Sequence, residues 1–283
     1  MVRQRSAKPS SAGSIPAVAS IFTPPDFNFV SVVTSHGWYR LAPFRWSAEE
    51  RVLRRNDMEI SHDGKALRVV GNADREQIAR MFQLHVDIGE FIVLTRSSAP
   101  HAWVEEHGFG RLLCAPTLFE DILKIILTTN VTWSQTVKMA ANLVDVCGRK
   151  GAFPTPRDIV RFTPEELKER CRLGYRATAI HRLATGIADR SIDLDALSDP
   201  KQSTEELFES YLTLPGIGPY GAAHLLAMYG RHDFIAVDTE FRRFVRDTYH
   251  KGRKVSDATM LRRYAKWGRW KYLAYWAELW GER

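Results

Sequence analysis

Hydrophobic and polar positions follow two different periods along the chain, and the first period is that of β-strands. Residues 27–33 are aromatic and β-branched, and two short apolar runs within 56–70 flank a polar Asp-Gly turn at 61–65. Such runs around an Asp-Gly turn are typical of a β-hairpin. The strand-like texture covers residues 27 to about 93, with one helix expected at about 75–83. This half of the chain predicts a small antiparallel sheet.

The second period, from about residue 116 onward, is that of one face of an α-helix. Helix start and stop signals accompany it, including two capping boxes in which Ser or Thr is followed three residues later by Glu. The predicted helices are 118–127, 134–146 with Gly148 as its stop, two helices that begin at the capping boxes of Thr163 and Ser203, and an aromatic-rich segment at 261–280. The predicted fold class is therefore α+β, with a small antiparallel β-sheet domain followed by an all-helical domain.

The composition divides the 283 residues into three predicted parts. Residues 1–25 are rich in Ser, Ala and Pro, which predicts a disordered tail. Residues 26–105 are predicted to form the β-rich domain, and residues 106–283 the all-helical domain. With 45% hydrophobic and 26% charged residues, the chain has the composition of a globular protein with a hydrophobic core.

Charge and cysteine content narrow the functional classes. The net charge of +7 permits a polyanionic partner without establishing one. Much of the excess lies in residues 242–271, which hold eleven Lys and Arg against only Asp247 and Asp257. The three cysteines have no Cys-x-x-Cys spacing, which argues against a zinc site or a disulfide framework and fits a reducing compartment. The sequence predicts neither a membrane span nor a signal peptide.

One segment, Leu-Pro-Gly-Ile-Gly-Pro-Tyr-Gly-Ala-Ala at 214–223, carries the clearest chemical signal. A helix is predicted to end at Leu214, a Gly-x-Gly turn follows, and a new helix begins near Pro219. Glycines allow backbone N–H groups to approach a ligand closely, and the new helix presents its positive end to the same point. Such a turn suits a DNA phosphate, although a Gly-x-Gly turn alone is also an ordinary connection between two helices.

This segment closely resembles the hairpin of the helix-hairpin-helix DNA glycosylases, in which a catalytic aspartate follows the Leu-Pro-Gly-Val/Ile-Gly pattern. Here Asp238 stands twenty residues after Gly218, within Ala-Val-Asp-Thr, as the family pattern requires. The resemblance implies that Asp238 is the catalytic carboxylate. By position alone, Asp238 is also the expected N-cap of a helix that begins at Thr239, and the two roles are compatible.

Three further segments extend the resemblance over most of the chain. Tyr175, in Leu-Gly-Tyr-Arg-Ala, matches the loop that wedges into DNA beside the flipped base in the 8-oxoguanine glycosylase branch. Asn130, in Thr-Thr-Asn, matches the asparagine that fills the gap left in the duplex. Taken singly, Tyr175 and Asn130 are equally compatible with a core aromatic and a turn residue. Residues 44–46 and 81–84 resemble the sheet domain shared with the bacterial 3-methyladenine glycosylase of the alkylation response. The DNA-binding residues implied are Gly216, Gly218, Tyr220, Asn130, Tyr175, Arg176 and Arg242.

Two departures from the family pattern predict the type of reaction. Bifunctional members carry a lysine at the position of Tyr220, where the amine forms a Schiff base with the sugar, and a phenol cannot do this. The resemblance therefore implies a monofunctional enzyme without lyase activity. No cysteine follows Cys171, so the C-terminal iron–sulfur cluster of some members is not expected. No cofactor is expected to be required, although the family resemblance allows a monovalent cation at the hairpin carbonyls.

The C-terminal aromatic residues are the candidates for a base pocket, and Trp270, Tyr275 and Trp276 are predicted to line it, against the alternative that they pack in the core. An aromatic pocket suits positively charged alkylpurines, because cation–π attraction contributes about 0.5 to 2 kcal/mol. The alignment places Tyr275 where the 8-oxoguanine branch has a base-reading glutamine, which weakens that alternative. His36 and Trp38 are further candidates from the N-terminal half.

The predicted function is that of a monofunctional DNA glycosylase that removes a damaged, alkylated purine during base excision repair and leaves an abasic site. The alternatives are an 8-oxoguanine-type glycosylase and a non-catalytic helix-hairpin-helix protein that only binds DNA. The expected partner is double-stranded DNA, with the enzyme acting as a monomer and away from membranes. The expected location is the cytoplasm and nucleoid of a bacterium, or the nucleus of a eukaryote.

Overall fold

The N-terminal part of the protein is built on a five-stranded antiparallel sheet. The computed structural model describes residues 18–72 and 74–281. The strands are β1 (Val18–Phe22), β2 (Phe44–Ser47), β3 (Val52–Arg55), β4 (Met58–His62) and β5 (Ala66–Val70), in the order β1-β5-β4-β3-β2. The predicted hairpin is confirmed as β4 and β5. Asp63 Oδ1 closes its turn by accepting hydrogen bonds from the N–H groups of Lys65 at 3.0 Å and Ala66 at 2.9 Å.

Two segments that were predicted to be strand-like form helices instead. Residues 27–33, predicted as a strand, contain helix α1 (Phe29–Val33), capped by the Asn28 side chain, which accepts a hydrogen bond from the Ser31 N–H at 3.1 Å. Its buried residues fall at helical spacing, which short β-branched runs do not exclude. Residues 89–95, within the stretch predicted as strand-like, form helix α3 (Gly89–Thr95), which follows helix α2 (Arg75–Met81).

The predicted disordered tail is wrong for residues 18–22, while residues 1–17 of that tail lie outside the described part. Strand β1 pairs with β5 over its whole length and exposes most of its side chains, with Phe22 at 81% exposure. Only Ile21 is buried. Main-chain pairing along the sheet edge therefore defines this strand, and composition gives little sign of such pairing.

The remaining elements are helical, as predicted for the second half. They are α4 (Trp103–Glu106), α5 (Leu118–Thr128), α6 (Trp133–Cys147), α7 (Pro156–Ile159), α8 (Pro164–Arg170), α9 (Arg176–Ala188), α10 (Thr204–Leu212), α11 (Pro219–Met228), α12 (Thr239–His250), α13 (Asp257–Arg262) and α14 (Lys271–Gly281). Both capping boxes, at Thr163 and Ser203, are present. The predicted helix 261–280 is interrupted at Gly268, whose φ of 54° and ψ of −125° are not helical. No helix of the described residues is long and apolar enough to cross a membrane.

Helix α5 forms the centre of the core and is joined to the sheet by a buried ion cluster. Arg55 of β3 donates two hydrogen bonds to the Glu120 carboxylate, at 2.9 and 2.6 Å. Lys124 Nζ lies 2.7 Å from the same carboxylate and 4.4 Å from the centre of the Phe44 ring. All three charged side chains are buried. The cluster fixes α5 against the sheet and so sets the position of the loop that follows α5.

Candidate active site and DNA interface

The hairpin between α10 and α11 has the two features predicted for it. Gly216 adopts φ +82°, in the left-handed region that favours glycine, and an added Cβ would lie 3.0 Å from Ala179 Cβ. Gly218 is the N-cap of α11 and makes no side-chain cap, and an added Cβ would meet nothing within 4 Å. Because Pro219 has no N–H, the first donors at the start of α11 are those of Tyr220 and Gly221. The hairpin thus presents free backbone donors at an open surface.

Asp238 occupies the N-cap of α12. Its Oδ1 accepts a hydrogen bond from the Phe241 N–H at 2.7 Å, so the predicted capping role is present. The carboxylate is half-buried, and burial raises its pKa above the ordinary value, while the Phe241 N–H opposes that rise. Asp238 also lies close enough to Tyr220 to act with burial in raising the pKa of that phenol to about 12. The carboxylate therefore lies beside the hairpin, with its orientation fixed by the cap.

An aromatic cluster surrounds His224, which lies one helical turn after Tyr220 on α11. The cluster consists of His36, Trp38, Tyr220, His224, Tyr272 and Trp276, with the five other ring centres between 5.8 and 6.4 Å from that of His224. Trp38 is held by its Nε1–H, which donates to Asp121 Oδ1 at 2.8 Å. The His36 Nε2 lies 2.7 Å from the Leu113 carbonyl oxygen. Segments far apart in sequence thus meet beside Asp238.

The three aromatic residues predicted for the base pocket are found in three different places. Trp276 belongs to the aromatic cluster and stacks on Tyr272, with ring centres 5.6 Å apart. Tyr275 instead packs in the core, with its ring centre 5.0 Å from that of Phe241. Trp270 is buried and stacks on His232 at 5.7 Å. This placement does not favour base contacts by Tyr275 and Trp270.

His224 is the member of the cluster that the sequence predictions missed, and Tyr272 is a C-terminal aromatic candidate that was not chosen for the pocket. Tyr272 and Trp276 are four residues apart on α14 and so share one helix face, a spacing that was visible in the sequence. Tyr275 lies on another face because each residue turns the helix by about 100°. His224 follows Tyr220 at the same four-residue spacing. These four-residue spacings were visible in the sequence. Which face of α14 points to the cluster was not, because the helical pattern is interrupted at Gly268 and the sequence does not show that interruption.

The predicted wedge and filler residues lie in contact. Tyr175 is 64% exposed, and its hydroxyl lies 3.3 Å from the Thr129 carbonyl oxygen and 3.5 Å from Asn130 Nδ2. Arg176 is buried; it donates to the Thr129 carbonyl and places its guanidinium carbon 4.6 Å from the centre of the Tyr175 ring. The guanidinium thus holds the 129–130 loop and the Tyr175 ring together, while direct contact of Arg176 with DNA stays a prediction.

Comparison with known proteins identifies the family. The model of the HhH-GPD superfamily, described as base excision DNA repair proteins, matches residues 123–269, which are 147 of the 283 residues. The chain belongs to this superfamily. The matched region contains the hairpin, Asp238 and the predicted wedge and filler residues. A search of curated proteins finds no match.

Solved structures with the same fold cover nearly the whole chain. MBOgg1, in complex with a low-affinity DNA ligand, is 20% identical with a TM-score of 0.76, and the match covers 96% of this chain and 97% of MBOgg1. The apo form of the Clostridium acetobutylicum 8-oxoguanine glycosylase/lyase is 17% identical with a TM-score of 0.74, covering 96% and 100%. The Archaeoglobus fulgidus 3-methyladenine DNA glycosylase is 22% identical with a TM-score of 0.74, covering 93% and 98%. At these identities the likeness establishes the shared fold.

The basic stretch of this HhH-GPD protein is partly neutralised within the molecule. Arg242 donates two hydrogen bonds to Asp257, at 2.9 and 2.8 Å, at the start of α12. Neighbouring arginines make similar surface ion pairs, Arg243 with Glu240 and Arg246 with Asp247. Contact of Arg242 with DNA stays a prediction, and it would require this arginine to share its charge between Asp257 and a phosphate.

Two cavities of the HhH-GPD protein lie away from the hairpin. One, of about 550 Å³, is lined by residues that include His85, Arg231 and Trp270, and a second, of about 580 Å³, lies beside it around Arg96 and Arg111. Neither is lined by Asp238. Within residues 18–72 and 74–281, no group of three or more His, Cys, Asp or Glu side chains is arranged to hold a metal ion.

Proposed function

We propose that the protein is a monofunctional DNA glycosylase that extrudes a damaged purine from duplex DNA and hydrolyses its N-glycosidic bond. The observation that carries this proposal is the position of Asp238, a half-buried carboxylate fixed beside the hairpin and the aromatic cluster. A purely DNA-binding module needs the hairpin but no carboxylate at this point. The superfamily assignment supports the same conclusion.

The chemistry assigned to Asp238 follows from charge. When the bond between C1′ and the base nitrogen breaks, its electron pair leaves with the base and positive charge develops on the deoxyribose. A fixed carboxylate stabilises that charge, and its low solvent exposure strengthens the attraction. Asp238 then accepts a proton from the water whose oxygen bonds to C1′. The product is an abasic site, and an alkylated purine that carried a positive charge leaves as a neutral base that needs no proton.

Extrusion of the base is assigned to the wedge and filler residues. Unstacking a base costs roughly a few kcal/mol, and least for a damaged or mispaired base. Tyr175 is the exposed aromatic side chain that would enter the stack, and Asn130 lies beside it to fill the vacated position. Because both are already held by Arg176, their ordering does not have to accompany DNA binding.

The proposed substrate class is an alkylated purine. Trp276 and Tyr272 offer stacked aromatic surface beside Asp238, and such surface attracts an electron-poor, positively charged base. The test is a panel of duplex oligonucleotides, each with a single lesion, scored for abasic sites after alkali. Release of an alkylated purine supports the proposal. Release of 8-oxoguanine alone would replace the substrate class, and no release from any lesion would favour the non-catalytic alternative.

Absence of lyase activity is the expected consequence of Tyr220. With its pKa raised to about 12, this phenol stays protonated at neutral pH and offers no amine to the sugar. Lys124 does not replace the missing amine, because it is fully buried against Glu120 and Phe44. Borohydride should therefore trap no covalent enzyme–DNA adduct, and strand scission should require alkali or heat. Efficient trapping by the wild-type protein would overturn the monofunctional assignment.

The hairpin is proposed to bind a DNA phosphate, and its two glycines give a matched pair of variants. Gly218→Ala should fold normally, because its Cβ meets no atom, but the methyl group obstructs the approach of a phosphate to the Tyr220 and Gly221 N–H groups. We expect duplex affinity to fall about tenfold, because this is roughly the contribution of one charge-assisted hydrogen bond. Gly216→Ala should instead lower the free energy of unfolding by about 1–2 kcal/mol, because its φ is left-handed. Fluorescence anisotropy at low salt and thermal melting measure the two effects, and unchanged affinity in Gly218→Ala would argue against phosphate binding here.

A monovalent cation at the hairpin carbonyls is also proposed. The turn from Leu214 to Gly218 carries the backbone carbonyl oxygens proposed as ligands, and the Leu214 carbonyl accepts one hydrogen bond, from the Ile217 N–H at 3.1 Å. Neutral carbonyl oxygens suit K⁺ or Na⁺, since they can replace the water molecules of its hydration shell. Such a cation would add positive charge beside the bound phosphate. Equal duplex affinity in potassium, sodium and tetramethylammonium salts of the same ionic strength would exclude this contribution.

A further inference from the structure

His224 occupies the centre of the aromatic cluster, and only one of its two ring nitrogens has a hydrogen-bond partner within the described part of the chain. Its side chain is only 6% exposed, and its neighbours are the rings of the cluster. Any aromatic or aliphatic side chain could fill such a space. A histidine in this position brings two ring nitrogens into the cluster, where Nδ1 faces the Tyr272 hydroxyl and Nε2 keeps some exposure to solvent.

The protonation state of His224 follows from its neighbour Tyr272. The Tyr272 hydroxyl lies 3.4 Å from His224 Nδ1, and this is its only hydrogen-bond partner among residues 18–72 and 74–281. Burial raises the pKa of the Tyr272 phenol and lowers that of His224 to about 4, so both groups are neutral at pH 7. A buried hydroxyl proton needs an acceptor, and the only one in reach is Nδ1. Tyr272 therefore donates to Nδ1, and the single imidazole proton lies on Nε2.

The Nε2–H of His224 has no acceptor within the described part of the chain. The donor also lies near the proposed catalytic carboxylate. Tyr220 and Tyr272 flank His224, and the charge of Asp238 contributes to raising the pKa of both phenols. A nucleotide whose sugar is held at Asp238 would bring its base to this cluster.

We propose that the Nε2–H of His224 donates a hydrogen bond to the lone pair of N3 or N7 of the extruded purine, making His224 a specificity-determining residue. This inference rests on the proposed glycosylase function and refines its substrate class. A ring nitrogen that is alkylated has lost its lone pair, whereas the other ring nitrogens and O6 keep theirs. The pocket therefore admits purines that are unmodified at the contacted atom and discriminates against those that are alkylated there.

The same hydrogen bond assists departure of the base. As the bond between C1′ and the base nitrogen breaks, its electron pair moves into the purine ring, and the contacted atom becomes a stronger acceptor. The bond from Nε2–H therefore strengthens in the transition state, which is the condition for lowering the barrier. The neutral imidazole keeps its proton throughout. The positively charged alkylpurine leaves as a neutral base and takes no proton, and Asp238 still accepts the proton of the attacking water.

The test combines two variants with two modified substrates. His224→Phe keeps a ring and removes the donor, whereas His224→Gln keeps an amide donor near the position of Nε2. The substrates are the best-cleaved purine lesion from the panel and its 3-deaza and 7-deaza analogues, in which one ring nitrogen is replaced by C–H. Single-turnover release is measured, together with duplex affinity relative to an abasic analogue in the non-cleaving Asp238→Asn background.

We expect the wild-type protein to lose about tenfold in release on one deaza analogue, as for one neutral hydrogen bond. His224→Phe should release the parent lesion more slowly than the wild-type protein by a similar factor. On that analogue the two proteins should release the base at equal rates. His224→Gln should restore most of the release rate on the parent lesion. Equal release of the parent and both analogues by the wild-type protein would overturn the inference and leave the glycosylase function standing. If no lesion is released, the proposed function fails. In that case the purine lesion of the panel that binds most tightly serves as the parent, and equal affinities for it and both analogues overturn the His224 contact separately.

Discussion

Asp238→Asn is expected to lower single-turnover base release by a factor on the order of 10³ or more, while folding and duplex binding are retained. A neutral amide cannot stabilise a sugar cation or accept the proton of water as the carboxylate does. Folding is retained because asparagine caps a helix about as well as aspartate, so the bond from the Phe241 N–H survives. Single-turnover excision, anisotropy and melting curves on the same preparations measure the three properties.

The difference in thermal stability between this variant and the wild-type protein has a predicted pH dependence. Burial raises the pKa of Asp238 in the folded state, so the folded protein holds this proton to a higher pH than the unfolded chain does. The contribution of Asp238 to stability therefore falls as pH rises through that raised pKa. At neutral pH, Asp238→Asn removes a desolvated charge and should melt at or above the wild-type temperature. The same raised pKa makes wild-type activity fall as the carboxylate is protonated in acid.

Asp238→Ala is the matched control, because it removes both the charge and the cap. Its free energy of unfolding should fall by about 1 kcal/mol, and its activity should be as low as that of Asp238→Asn. If Asp238 were only a cap, Asp238→Asn would release the base at nearly the wild-type rate and Asp238→Ala would differ from it in stability alone. That pattern would remove Asp238 from the mechanism.

Glu120→Ala is expected to destabilise the protein by about 3–5 kcal/mol, since it leaves the charges of Arg55 and Lys124 buried without their carboxylate. The matched control is Glu59→Ala, which breaks a salt bridge to Arg54 on the same sheet. That pair is exposed, so its loss should cost at most about 1 kcal/mol. Urea unfolding at pH 7 measures both changes.

A triple replacement tests whether the buried charges themselves cause the loss. Arg55→Met, Glu120→Leu and Lys124→Met together remove every charge of the cluster and should recover most of the stability lost in Glu120→Ala, because no buried charge is left unpaired. Equal losses in Glu120→Ala and Glu59→Ala would show that the cluster does not hold α5 to the sheet. A triple variant as unstable as Glu120→Ala would assign the loss to packing.

Three features could be predicted from sequence because local chemistry determines them. They are the turn between α10 and α11, the β-hairpin of β4 and β5, and the capping position of Asp238. Gly216 is required by a left-handed φ, and Asp238 caps the helix that starts one residue later. The segment 27–33 was wrongly predicted because a short β-branched run fits a buried helix as well as a strand. There the deciding feature was Asn28, whose side chain caps α1.

Which residues form the aromatic cluster could not be predicted from the sequence. A helical phase can be followed only along an unbroken helix, and Gly268 breaks the segment that leads to α14. The predicted Tyr275 therefore lies on another face of α14 from the cluster, and Tyr275 was chosen over Tyr272 among the C-terminal aromatic candidates. Arg176 posed another difficulty: an arginine next to an exposed tyrosine suggests a phosphate contact, and only the fold shows that its guanidinium is buried.

The contacts of Arg176 have a consequence for how duplex DNA would be searched. Thr129, Asn130 and Tyr175 are immobilised in the free protein by a single guanidinium and the tyrosine hydroxyl. Ordering a flexible backbone costs about 1–2 kcal/mol per residue, and here that entropy is lost during folding and not at each encounter with DNA. Asn130 and Tyr175, which are 45 residues apart in sequence, would then contact neighbouring positions of the duplex as one rigid unit. Each undamaged base-pair step could be contacted and released quickly, because these segments would not have to become ordered again at each new position.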